Sequence, residues 1–353
     1  MRSRTTFPAS LPLTPIVNAL VASALVASAF VAPAVADTFT ASYAGPTLDR
    51  WNYPFNSTPG TRPIASTFGN EPGSPLFDNR DGQFVVGFDT GADIPTGLGA
   101  SAYGIVSCTV TLTFANDFVA AYDPTVDPFT AFLPESDPSY IADADPGQPI
   151  ELFGAGFRNG LTRATWTETT PFAPAGALDP SIRSTFAAGA GRKGALVDVS
   201  NSVRERWTPV PFAVGVVDGL EPGDLIGEGT VMRFDLDVAN AAVAAYLRES
   251  LDAGRVLLTA TSLTRVVQQA GDFPLFYCRE NALVEVLGFG GATLDLVVET
   301  NACAPADLDC SGTVNAADLA ILLGEWGTAG SADLNGDGTV EAQDLAILLG
   351  AWG

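Results

Sequence analysis

Residues 306–327, ADLDCSGTVNAADLAILLGEWG, align without gaps on residues 332–353, ADLNGDGTVEAQDLAILLGAWG, at an offset of 26. Sixteen of the 22 positions are identical. A segment that repeats itself this closely must fold as two copies of one small unit, and neither copy has the length to bury a hydrophobic face alone. The tail is therefore expected to be a paired module, separate from the 305 residues that precede it.

Each copy sets oxygen-bearing side chains at alternate positions of a twelve-residue loop. In the first, Asp307, Asp309 and Ser311 hold positions 1, 3 and 5, Gly312 holds 6, and Thr313, Asn315 and Asp318 hold 7, 9 and 12. The second places Asp333, Asn335, Asp337, Gly338, Thr339, Glu341 and Asp344 at the same positions. A chain curling through such a loop turns alternate oxygens toward one point, and glycine at position 6 permits the sharp bend. Hard oxygen donors without Cys or His select Ca²⁺ over transition metals, so two Ca²⁺ ions are expected. The competing reading, an Asx-rich turn, explains one copy but not two in register.

After each loop the spacing predicts a helix, with Leu319, Leu322, Leu323 and Trp326 on one face and Leu345, Leu348, Leu349 and Trp352 on its copy. These i, i+3, i+4, i+7 stripes are expected to be buried against each other. Neither loop is preceded by an amphipathic segment. On these residues the 306–353 segment resembles a type I dockerin, a tandem of Ca²⁺ loop and exiting helix. The resemblance implies attachment of a secreted, carbohydrate-active protein to a cohesin-like partner on a scaffold or cell surface. It also implies that the loop residues named above are the metal ligands, Asn315 and Glu341 directly or through water. Many members carry a hydroxyl pair at positions 10 and 11, where this chain has Ala316-Ala317 and Ala342-Gln343.

The other end of the chain reads as a secretory leader. Arg2 and Arg4 precede an apolar run from Ile16 to Val31, and Ala34-Val35-Ala36 supplies a cleavage pattern before Asp37. The run is too short and too interrupted by Asn18 and two serines for a membrane span, so no membrane attachment is expected after cleavage. The formal charge is −23, with 17 basic residues against 40 acidic, and becomes −25 without the leader. That balance excludes a nucleic-acid binder, which needs cations along the phosphate backbone. The absence of His removes Ser-His-Asp and Cys-His catalysis. Secretion makes disulfides plausible, with Cys303–Cys310 as the favoured pair, and with Cys108 and Cys278 either bridged or buried as small apolar residues.

Between leader and tail the chain is organised as a β module over 37–300, followed by a linker over 301–305. Gln83–Asp89, Ile105–Phe114, Ala195–Val199, Pro211–Val217, Thr230–Val238 and Thr293–Val298 run or alternate apolar at strand length between Gly/Pro loops. The fold class expected is mainly β: a jelly-roll-like β-sandwich, with one covering helix at Asn240–Ala253 capped by Asn240 and ended by Gly254. The small α-helical, dockerin-like calcium-binding module follows it.

Three features of the β module bear on function. Glu135, Asp137, Glu151, Glu168 and Glu280 are nominal carboxylates for glycoside chemistry, against the ordinary reading of solvated surface acids. Asp143 and Asp145, following Asp123, Asp127 and Asp137, suggest a third Ca²⁺ site, against an acidic Pro-punctuated loop. Trp51, Tyr53 and Phe55 form an alternating stripe, with Trp166 and Trp207 in polar surroundings; these are sugar platforms or core. The leading reading is a secreted, non-catalytic, carbohydrate-binding module with a docking tail. A polysaccharide hydrolase or lyase, and a structural surface or matrix protein, are the alternatives.

Overall fold

The computed structural model describes residues 37–70, 73–74, 77–191, 195–266, 273–287, 290–300, 305–309, 311, 313–335 and 337–353. The expected leader, Cys303, Cys310 and Gly312 lie outside the described residues.

The protein is mainly β. In chain order the strands are β1 (Asp37–Tyr43), β2 (Leu48–Asn52), β3 (Ile64–Ser66), β4 (Gln83–Asp89), β5 (Tyr103–Thr113), β6 (Ile150–Phe157) and β7 (Thr185–Ala190). They continue with β8 (Leu196–Asp198), β9 (Ala213–Val214), β10 (Val231–Asp235), β11 (Arg255–Ser262), β12 (Leu275–Tyr277) and β13 (Thr293–Thr300). One sheet has the order β1-β13-β5-β10; a larger one runs β2-β4-β11-β6-β7-β8, with β9 also paired to β6, and β12 pairs β3. Every ladder between these strands is antiparallel.

Period-two patterning explains how the smaller sheet presents one face inward. Leu294, Leu296, Val298 and Thr300 of β13 are buried, while Asp295 and Glu299 between them are exposed. Across the ladder Leu294 faces Val110 and Leu296 faces Cys108, so neighbouring strands contribute to the same face. Those residues share a single apolar cluster with Phe84, Val86, Val256 and Leu258 of the larger sheet.

The larger sheet is covered on both sides, which is why β4 and β11 are buried almost without alternation. On its outer side Val85 and Leu257 meet Trp166 and Leu48. Trp207 packs there against Phe153, Ala187 and Val199. Trp166 is completely buried and is a core residue, so the second of its two readings holds.

Helix α1 (Ala241–Asp252) forms where its pattern places it, between β10 and β11. The Asn240 side chain accepts a hydrogen bond from the Ala242 N–H at 3.0 Å, and Gly254 follows at positive φ. Val243, Tyr246, Leu247 and Leu251 are all buried, each such side chain contributing about 1.5–3 kcal/mol. A second short helix, α2 (Ala282–Leu287), corrects the expectation of one helix in this module. The Pro211–Val217 run forms a two-residue strand, Ala213–Val214, with a further bridge from Val216 to Arg233. Cys108 and Cys278 are buried free thiols, so the second of their two readings holds.

In the tail, α3 (Ala316–Gly324) and α4 (Ala342–Gly350) follow their loops. Ala306, Val314, Leu322, Ala332, Val340 and Leu348 make an apolar cluster distinct from that of the β module. Pairing is reciprocal: the Gly327 N–H, after α3, donates to the Val340 carbonyl of the second loop at 2.9 Å. The Gly353 N–H, after α4, donates to the Val314 carbonyl of the first at 3.1 Å. Each bond maps onto the other at the 26-residue offset, so the two copies are related by an approximate two-fold exchange.

Candidate metal centres and an aromatic cleft

The first tail loop draws Asp307, Asp309 and Asp318 together, each offering an oxygen within 4.8 Å of the others. Two oxygens bound to one Ca²⁺ at about 2.4 Å lie no farther apart than about 4.8 Å, so the donor set fits a hard cation of that size. Asp318 accepts the backbone N–H groups of Asp309 at 3.0 Å and Asn315 at 2.7 Å, closing the loop onto α3. Burial pushes its carboxyl up, but these N–H donors outweigh that and hold it below the ordinary carboxylate value. Ser311 donates its N–H to both Asp307 and Asp309, and its hydroxyl to the Thr313 carbonyl.

In the second loop Asp344 accepts from the N–H groups of Glu341, Leu334 and Asn335, which hold its carboxyl low. Asp333 accepts from Asp337 and Gly338, and Asp337 accepts from Thr339. Gly338 has φ 95°, a conformation that side chains rarely adopt, so position 6 requires glycine. The amide of Asn335 bonds Asp337 and Gln343, a position-11 side chain that is otherwise exposed.

Only half of each expected helical stripe is buried. Leu322 and Leu348 are buried and Leu319 and Leu345 partly so, but Leu323, Trp326, Leu349 and Trp352 are 45–54% exposed. The correction has a physical cause: Ala306, Val314, Ala332 and Val340 come from the loops to fill the space between the helices. The second half of each stripe is left facing outward.

In the β module, Asp123, Asp127, Asp143 and Asp145 come within the same 4.8 Å limit. Asp137 does not join them; both its oxygens accept from the Arg206 guanidinium, at 2.9 and 3.1 Å.

The nominal catalytic carboxylates are dispersed into different surroundings. Glu135 is exposed, and Glu151 is buried in a two-pronged ion pair with Arg80 at 2.6 and 3.0 Å. Glu168 and Glu280 do meet, together with Asp49, a residue the sequence did not single out. Arg279 binds all three: its N–H donates to Asp49 at 2.7 Å, and its guanidinium reaches Glu168 at 2.7 Å and Glu280 at 2.8 Å. Burial first, and then the neighbouring acids, hold Asp49 well above the ordinary carboxylate value. This group clamps β2 to two loops.

Trp51 is 8% exposed and belongs to the main core. Tyr53 stacks on it at 4.7 Å between centroids, and the Arg62 guanidinium lies 4.4 Å from its ring. Phe55, by contrast, is 49% exposed. Trp51, Tyr53 and Phe55 line an open cleft of about 470 Å³ with Phe68, Val266 and Phe273. Ligand clefts pair an apolar or aromatic wall with a few polar groups, and Arg62 and Ser66 stand on this lining. Trp51→Ala is expected to lower stability by about 3 kcal/mol, because it removes a buried ring from a packed core. Chemical denaturation checks this, and an unchanged midpoint would show that the ring is dispensable to the core.

The chain matches no protein-family model and no curated protein sequence. Among the described residues no helix is long and apolar enough to cross a membrane.

Proposed function

We propose that this is a secreted calcium-binding protein whose dockerin-like tail docks a non-catalytic β-sandwich of jelly-roll type onto a cohesin-like partner at a scaffold or cell surface. The process served is polysaccharide-related, with the aromatic cleft as a carbohydrate-binding surface. The observation that carries the docking is the outward half of the duplicated stripe, Leu323 and Trp326 with Leu349 and Trp352. Large apolar side chains, tryptophan above all, form the anchors of protein interfaces, and here they occur twice on one small module. Ala316, Ala317, Ala342 and Gln343 at loop positions 10 and 11 are also exposed, so they border rather than fill the tail core.

Bound Ca²⁺ supplies compensation for the loop carboxylates. The residues hold the loops in shape around it: Asp318 and Asp344 anchor each loop to its helix, and Gly338 bends the second. Docking is then sensitive to calcium because the loops position the helices that carry the apolar anchors.

The test is binding of the full chain to immobilised type I cohesin domains, in Ca²⁺ and in EDTA. Binding in Ca²⁺ that is lost in EDTA is expected, and Trp326→Ser with Trp352→Ser should weaken it at least about thirtyfold, the scale of a single hot-spot residue. Equal binding by the double variant, or none by wild type, would overturn the docking reading.

A further inference from the structure

We propose a third cation site, in the β module and independent of the tail, in which Asp123, Asp127, Asp143 and Asp145 hold one hard divalent cation of the Ca²⁺ class. The site would staple the loop over 121–127 to the loop over 143–147.

Four observations carry this. First, the four carboxylates converge although they come from two loops, with oxygens within 4.8 Å of one another. That spacing is what a common cation of Ca²⁺ size imposes on its ligands.

Second, oxygens are left over, and they are buried. Asp123 uses Oδ1 to accept from the N–H and the hydroxyl of Thr125, both at 2.8 Å, and Asp143 uses Oδ1 to accept from the Ala144 N–H. Their Oδ2 atoms, and Oδ1 of Asp127, are out of contact with solvent and have no hydrogen-bond partner. Asp123 is 1% exposed and Asp127 6%. A carboxylate oxygen removed from water needs a donor or a cation, and without one it is expensive to bury.

Third, the charge is uncompensated. Among the described residues no arginine pairs with any of the four, whereas the Asp49 group has Arg279 and Glu151 has Arg80.

Fourth, the frame is rigid and brought close on purpose. Gly147 has φ 114°, and a Cβ there would lie 2.5 Å from the Tyr122 carbonyl oxygen. Only glycine lets the second loop press onto the first at that point. Tyr122 is itself fastened on the other side, its N–H to the Asp224 carbonyl and its carbonyl to the Gly223 N–H, each at 2.8 Å. Four carboxylates with several oxygens each suit the high, flexible coordination number of Ca²⁺ better than the strict octahedron of Mg²⁺.

The test is hydrogen exchange of the full chain with CaCl₂ or EDTA, read on peptides covering 119–128 and 142–148. At free Ca²⁺ about ten times its Kd, opening of the cage becomes about tenfold rarer, and exchange there should slow by that factor. Asp127→Asn with Asp143→Asn should abolish the slowing. In EDTA the same variant should exchange no faster than wild type, because it relieves repulsion rather than removing a bond. An Asp307→Ala, Asp333→Ala variant should keep the protection, which separates this site from the tail. Wild-type peptides indifferent to Ca²⁺, protection retained in the Asn variant, or protection lost with the tail variant would each overturn the proposal.

Discussion

Removing Ca²⁺ should melt the tail while the β module stays folded. Among the described residues, the tail's buried apolar side chains are those of two leucines, two valines and two alanines, with four further leucines partly covered. A core that small rarely holds a segment of this length without a staple. Against it stand the acids of the first loop, Asp307, Asp309 and Asp318, with oxygens within 4.8 Å of one another, whose repulsion the ion cancels. Binding free energy therefore becomes folding free energy. Hydrogen exchange of the full chain in EDTA should show α3 and α4 exchanging as unstructured peptide, while β4, β11 and β13 remain protected. Helices that stay protected in EDTA would refute the coupling. The second loop should fill first, since it offers Asp333, Asp337, Glu341 and Asp344 where the first offers Asp307, Asp309 and Asp318. Asp344→Ala should then cost more affinity than Asp318→Ala, and the reverse order would refute the ranking.

Arg80→Ala should destabilise the β module by about 3–5 kcal/mol, the cost of stranding a buried charge. Arg80 is 1% exposed, grips both oxygens of Glu151, and donates further to the Val199 carbonyl at 3.0 Å and to the Ser202 hydroxyl at 2.8 Å. Its guanidinium also lies 5.5 Å from the Phe153 ring centroid. Removing the arginine leaves the Glu151 carboxyl in the interior with its partner gone. The double change Arg80→Met, Glu151→Leu should recover most of the loss, because well-packed apolar residues replace a buried pair with little penalty. Denaturant midpoints of the two variants decide the matter. A single variant as stable as wild type would mean that Glu151 finds other compensation, and a double variant as unstable as the single would assign the loss to packing.

The amino-acid sequence by itself determined what depends on near neighbours along the chain. The alternate-position acids, the exiting helices and the Asn240 cap are each written within a dozen residues, the duplication shows directly at its 26-residue offset, and β4 and the period-two face of β13 are as local. Only the tertiary structure decided what depends on residues far apart. That Glu151 belongs to Arg80, that Glu168 and Glu280 meet Asp49 around Arg279, and that Asp143 and Asp145 reach Asp123 and Asp127 follow from how the fold brings distant loops together, which no local period encodes. Trp166 looked polar in its surroundings and is wholly buried, because it covers the second face of a sheet whose partner layer is assembled from distant loops. The tail helices make the same point at small scale. Periodicity places Leu322 and Leu323 on one stripe, but which of them is covered depends on Val314 and Val340 arriving from the loops, and that is a property of the packed pair alone.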